Sequence, residues 1–439
     1  MHIKSLHLKN FRCFEEATFE FAPGFNLLIG GNGAGKSSVL DAITESLVEW
    51  VPVGEVHTTL DVKKDIRMVL SKNSKSGRFE YVFPLNLLAS YDTVDYAFYN
   101  HNLVQSLRLA DRAGSEYDIK KSGGIFDVIA KRDIYLRNED PNDRLNLPLF
   151  MKMATRRSIF GVNSKLELSK ILTKKDTVRD VYGISITAII DGEELAGWFA
   201  RRTFERLEGG NHINDDNVLD ELSLVGGAIT ACVEGCERIQ YFQNGLGLEV
   251  SWKNGSTVAF DNLSDGQRTY IAMVADIARR ACLLNPHLDD KVLEETPGIV
   301  LIDELDLHLH PKWQRSIVAN LTKTFPKIQF IATTHSPQII GECQPEQVII
   351  VTDRGGAHPF ESFGMDSNAV LREIMGAEDR DKEVNDLIDI MFSQIDERKL
   401  EAASASLQKL RAKAGNLAEI IEAEHLIARF ERESPEAAE

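Results

Sequence analysis

An α/β fold is predicted by three features of the sequence. The apolar run Phe25-Asn26-Leu27-Leu28-Ile29 passes through a glycine-rich turn into a segment with apolar residues at 39, 40, 43 and 47, the spacing of a helix. Between about 246 and 360, strand and helix patterns alternate, as a parallel sheet with crossover helices requires. Beyond Asp366 the pattern is helical alone, ending in a tail.

Taken in order, strands are expected over 3–8, 17–21 and 25–29, the last buried on both faces, with further strand character over 60–88. Residues 1–91 read as the first part of a head and 92–245 as a mainly helical insertion, including a helix over 191–207. The head resumes over 246–360. It has a strand over 246–252, a turn at Lys253-Asn254-Gly255 and a helix over 266–284. Next come a strand over 299–302, a helix over 311–325 and strands over 328–333 and 347–352. Residues 361–439 form the helical tail, with helices over 400–414 and 416–433.

The chain of 439 residues is long enough for two or three modules, and its 43% hydrophobic and 27% charged residues are ordinary for a globular protein. No leader pattern opens it and no segment reaches the ~18 apolar residues of a membrane span, so a cytoplasmic protein with no membrane partner is expected. Of the five cysteines only Cys232 and Cys236 lie close together, without a second pair to complete a zinc site. The net charge of −17 argues against wholesale binding of nucleic acid. Locally, 152–179 carries eight basic residues against two acidic ones, starting at Lys152, and fits either a solvated helical face or a phosphate-binding patch.

Gly30-x4-Gly35-Lys36-Ser37, placed between strand and helix, matches a phosphate-binding loop. The glycines let backbone N–H groups turn inward around phosphates at the positive end of the helix. Lys36 would neutralise the β and γ phosphates of ATP, and Ser37 would bind Mg²⁺. The strand ending in Asp303-Glu304 delivers a carboxylate pair, Asp303 for Mg²⁺ and Glu304 as general base for the attacking water. Leu263-Ser264-Asp265-Gly266-Gln267 opens a helix and forms a second anion site, suited to a nucleotide held by a partner head; without the other motifs Ser264 would read as just an N-cap.

The glycine loop, the Leu-Ser-x-Gly-Gln element, the Asp-Glu strand and Thr333-Thr334-His335-Ser336 together resemble the ABC ATPase heads of the SMC and RecF class. The opening Leu8-Lys9-Asn10-Phe11-Arg12 matches that class as well. The resemblance implies an ABC head with a helical insertion and tail. Its nucleotide would be bound by Arg12, Asn32, Gly33, Ala34, Gly35, Lys36, Ser37 and Ser38, and by Ser264, Gly266, Gln267 and Asp306. Asp306 would lie in the loop after the carboxylates, and His335 would sense the γ-phosphate beside Glu304 and Lys36.

Over residues 1–50 and 246–345 the resemblance narrows to PtuA-like ATPases of Septu and retron anti-phage systems. It implies homo-oligomers formed through the heads, a PtuB-like HNH nuclease partner, and DNA or retron nucleic acid in the complex. The family's Q-loop glutamine is expected where the chain returns to the site near 91–102, with Gln105 the nearest candidate. His308 and His310 alternate onto one side, which suits a metal or a packing contact, but no third ligand accompanies them. The competing reading is a RecF-like ATPase that clamps DNA. A nuclease of the overcoming-lysogenisation-defect kind would need a larger domain than the 74 residues from 366 to 439. A transporter ATPase would lack the long insertion between Ser37 and Leu263.

Overall fold

The computed structural model describes residues 1–47, 65, 67–70, 79–82, 85–92, 104–110, 146–153, 187–188, 192–208, 220–242, 247–377 and 381–433. They belong to two compact units, Met1–Asp366 and Ser367–Glu439.

The strands of the first unit are β1 (His2–Phe11), β2 (Phe14–Glu20), β3 (Phe25–Ile29), β4 (Met68–Leu70), β5 (Phe79–Tyr81), β6 (Leu85–Asp92), β7 (Val104–Ala110) and β8 (Leu149–Met153). They continue as β9 (Thr187–Ala188), β10 (Cys236–Phe242), β11 (Gly247–Trp252), β12 (Thr257–Ala259), β13 (Gly298–Ile302), β14 (Ile328–Thr333), β15 (Val348–Thr352) and β16 (Gly355–Ala357). Eleven of them make one sheet in the order β7-β6-β1-β2-β16-β15-β3-β14-β13-β8-β9. The half from β15 to β9 is parallel, and β1, β2, β6 and β7 pair antiparallel.

Every residue of β3, β8, β13 and β14 is buried. Their largely apolar runs are what a parallel sheet covered on both faces demands. Helices α1 (Lys36–Leu47), α2 (Gly192–Glu208), α3 (Glu221–Cys232), α4 (Asp265–Leu284) and α5 (Pro311–Thr324) accompany the strands. Register sets the ends of β8, β13 and β14 level, Met153 and Ala332 both opposite Ile302, while Thr333 faces Leu28 of β3. Carboxyl ends of parallel strands are where such sheets place ligands.

Buried side-chain amides fasten this frame by imitating a neighbouring strand. Gln329 accepts from Ile3 N–H at 2.8 Å and donates to Ile3 O at 3.0 Å and Ala22 O at 2.8 Å. Asn285, at the C-terminal end of α4, accepts from Leu147 N–H at 2.6 Å and donates to Leu147 O at 3.0 Å, seating the start of β8. Each satisfies main-chain groups that would otherwise be buried without partners.

The stretch expected to be a mainly helical insertion contains α2 and α3, but also β7, β8, β9 and β10. Leu149-Phe150-Met151-Lys152-Met153 is too short an apolar run for periodicity to separate strand from helix. It pairs with β13 and so brings the chain back to the carboxylate pair, with Asp303 N–H donating to Met153 O at 2.9 Å. Gln105 instead faces Ser90 on β6, beside Tyr91, whose hydroxyl bonds Ser46 ten residues beyond Lys36 on α1. That is about 15 Å along the helix from the loop, so Gln105 is misplaced for a Q-loop. The rest of the candidate region, 93–102, lies outside the described residues, as do 154–186, which hold most of the basic window.

The second unit packs α6 (Lys382–Asp396), α7 (Leu400–Ala414) and α8 (Ala418–Glu433) around Met391, Ile395, Ala403, Leu407, Leu410, Ile420, Ala423 and Ile427. Asp381 caps α6 by accepting from Glu383 N–H at 3.0 Å, and Gly415, with φ +75°, ends α7. No described helix is long and apolar enough to cross a membrane.

Candidate functional site: a phosphate loop facing a carboxylate pair

β3 ends at Ile29 and the chain turns through Gly30, Gly33 and Gly35, with φ of +146°, +81° and +99°, before α1 begins at Lys36. Only glycine takes up such angles readily. Gly35 has a second reason to lack a side chain, since a Cβ there would lie 2.5 Å from the Phe14 ring and 2.7 Å from Cys13 Sγ. Asn32 and Gly33 stand exposed at the tip, and Ala34 and Ser38 are half-buried.

Lys36 Nζ donates to Gly30 O at 2.9 Å and Gly31 O at 3.1 Å, which keeps the ammonium inside the loop. Burial lowers its pKa, against the opposing pull of Asp303, Glu304 and Asp306. A partly desolvated cation at a helix N-terminus gains most from an anion placed in the same loop.

Across the crevice, Ser37 Oγ lies 3.1 Å from both Asp303 carboxylate oxygens. Thr333 at the end of β14 serves both acids. Its hydroxyl donates to Asp303 Oδ1 at 2.7 Å and accepts the Glu304 N–H at 2.7 Å. Glu304 takes φ +53°, a strained angle for a non-glycine residue, held by that bond and by Leu305 N–H to Thr333 O at 2.8 Å. One hydroxyl and one carboxylate are the hard oxygen donors that Mg²⁺ takes from protein. Among the described residues no three His, Cys, Asp or Glu side chains cluster to hold a metal alone. A cation at Ser37 and Asp303 would therefore complete its shell with phosphate oxygens and water.

The loop after Glu304 is braced against the one after β14. Asp306 Oδ1 accepts from Thr334 Oγ1 at 2.6 Å and from His335 N–H at 3.2 Å, leaving the His335 ring exposed. Gln314 of α5 accepts from Ser336 Oγ at 2.7 Å and donates to Leu309 O at 2.9 Å. Asp306 thus positions His335, a role its sequence neighbourhood concealed. Thr333 and Thr334 escaped the sequence reading, although both belong to the Thr-Thr-His-Ser run. His310 Nδ1 accepts from Lys312 N–H at 3.2 Å, so this histidine caps α5.

Ser264 is the exposed N-cap of α4 and forms a reciprocal capping box with Gln267. Its main-chain N–H donates to Gln267 Oε1 at 3.0 Å, and its hydroxyl accepts from Gln267 N–H at 3.3 Å. Gln267 therefore shapes the helix end. Gly266 is buried against the loop after β13, where a Cβ would fall 1.9 Å from His308 O. Gly266→Ala should displace that loop, lowering the melting temperature by roughly 4 °C or more for each kcal/mol of strain in a small domain and less in a larger one; calorimetry checks this.

Arg12 lies on the β1–β2 turn. Its guanidinium pairs with Asp41 of α1 and sits 2.8 Å from Asp65. Burial pulls its pKa down, and the two carboxylates more than offset that, so it is raised overall. Cys13, next in the chain, is exposed, whereas the other four cysteines are buried, with thiols pushed up to about 11 at Cys232 and Cys236 and about 12 at Cys343. Filling the loop with MgATP should slow alkylation of Cys13 by iodoacetamide by about tenfold at pH 8 if the loop shields the thiol; peptide mass spectrometry reads it out.

The family described as "AAA domain" matches residues 5–176, and "AAA domain, putative AbiEii toxin, Type IV TA system" matches residues 170–341. The retron Ec83 probable ATPase of Escherichia coli is 28% identical over 399 residues, covering 77% of this chain and 69% of that protein. The retron Vc95 probable ATPase of Vibrio cholerae is 54% identical over 101 residues, 23% of this chain and 19% of that protein. The Septu protein PtuA of Bacillus mycoides is 49% identical over 77 residues, 18% of this chain and 10% of that protein. The chain is an ATPase with AAA-domain matches over residues 5–341, similar to the ATPases of retron and Septu systems.

Proposed function

We propose that the chain is the regulatory ATPase subunit of a bacterial anti-phage complex, in which MgATP held between two heads governs an associated HNH effector nuclease. The observation that carries the site is the approach of Ser37 to Asp303 at 3.1 Å beneath the phosphate loop, with Glu304 beside it. When bound, Mg²⁺ would supply charge neutralisation at the β and γ phosphates. Lys36 and the loop N–H groups hold the phosphates, and Ser37 and Asp303 provide the cation's protein ligands. Glu304 orients the attacking water and draws its proton.

Ser264 caps its own helix and stays exposed, and its side-chain hydrogen bonds among the described residues are with Gln267. Its helix N-terminus is then free to meet the γ-phosphate of a nucleotide in a second head, and two heads arranged head to tail give two equivalent sites. Exposed His335 faces the same junction. Loss of the γ-phosphate removes the shared charge and loosens the pair, a change an attached subunit can sense. The helical unit Ser367–Glu439 is the proposed docking module for that subunit.

The test is purification of the tagged chain from its native operon, with and without ATP, followed by identification of what co-elutes. A small HNH protein, lost on deleting 367–439, is the expected result. A homodimer that binds DNA with ATP and carries no nuclease would favour a RecF-like clamp instead.

A further inference from the structure

Lys152, the first cation of the basic window, is not on a solvated face. It is buried on β8, with its side chain 10% exposed, and its ammonium pairs with Asp41 Oδ1. The second oxygen of Asp41 takes the Arg12 guanidinium. One carboxylate on α1, five residues beyond Lys36, therefore joins the β1–β2 turn to the strand beside β13. The turn itself touches the phosphate loop through Cys13 and Phe14, both against Gly35. It is held in a strained form, Asn10 and Arg12 having φ of +54° and +49°, with Arg12 N–H donating to Asp65 O at 2.8 Å.

We propose that Asp41 is a positioning residue of the ATP site, which holds Arg12 beside the phosphate loop from one oxygen while Lys152 fixes its other oxygen. This rests on the reading that Arg12 meets the nucleotide phosphates. Arg12 directs Nε and Nη2 to Asp65 and one Nη1 donor to Asp41, and a guanidinium has five donors, so one N–H on each Nη remains for phosphate while the side chain is already ordered. Ordering it beforehand lowers the entropic cost of closing on the ligand. Lys152 keeps Asp41 from swinging away with Arg12, and because β8 pairs with β13 the same contact ties α1 to the strand that ends in Asp303.

The test measures binding of a fluorescent ATP analogue with Mg²⁺ to Arg12→Ala, Asp41→Asn and the double variant, with Lys36→Ala as reference. Arg12→Ala and Asp41→Asn are each expected to weaken binding by about tenfold, and the double variant by no more than about tenfold, because both remove one interaction. A double variant weakened about a hundredfold, the product of the singles, overturns the proposal.

Asp41→Asn also strands a buried lysine, which lowers the melting temperature. Adding Lys152→Met should restore the melting temperature but leave binding weak; recovery of both would make Asp41 a merely structural residue and overturn its role. If Lys36→Ala abolishes binding while Arg12→Ala and Asp41→Asn do not, the assignment of Asp41 fails alone. If Lys36→Ala binds normally, the phosphate-loop reading fails with it.

Discussion

Glu304→Gln is expected to lower ATP turnover by about 10²–10⁴-fold, the usual range for removing a general base, while changing ATP affinity by no more than about threefold. Glutamine has the same shape and can take the same φ, so the bonds from Glu304 N–H to Thr333 and from Leu305 N–H to Thr333 O survive. Asp303 keeps its own partners at Ser37 and Thr333. What disappears is an acceptor for the water's proton. Single-turnover phosphate release set against equilibrium binding separates the two effects. Binding that falls in step with turnover would move Glu304 from base to ligand.

Asp276→Asn should have the largest effect on stability, about 3–5 kcal/mol, the range for breaking a buried ion pair from one side. Asp276 is buried within α4, with Arg279 at 2.8 Å and Arg280 at 2.9 Å, and Arg279 reaches toward Glu194 of α2 at 3.9 Å. Burial raises the Asp276 pKa, but Arg280 and Arg279 outweigh it and hold the carboxyl below its usual range. A depressed carboxylate stabilises the fold above its unfolded pKa of about 3.9, and that contribution is lost as pH falls through the folded value. Denaturant melts should therefore show the variant well below the parent protein at neutral pH, with the gap closing in acid.

Much of the site was legible in the sequence because its chemistry is local. Gly30 to Ser37 must turn, present N–H groups and start a helix within eight residues, and Asp303-Glu304 must follow a buried strand. The partners supplied by long-range pairing were not legible. Thr333 reaches both carboxylates only because β13 and β14 run parallel and level. Lys152 fell in with the basic window because its strand is five residues long and gains its burial from β13, whose paired residues lie 149 positions further along the chain. Gln105 was attractive only by proximity along the chain, and the fold carries it to the far end of α1. The capping role of Gln267 could have been foreseen, since Ser-x-x-Gln is a capping box.

In the proposed arrangement ATP is held between two heads, with Ser264 of one reaching the nucleotide of the other. Its most direct test is the mass in solution of the Glu304→Gln chain, with and without saturating MgATP, alone and combined with Ser264→Arg. ATP-dependent doubling of the mass that Ser264→Arg abolishes, with ATP binding to the single head retained, is the expected result. A mass unaltered by MgATP, or a pair that forms equally well with arginine at 264, would contradict it.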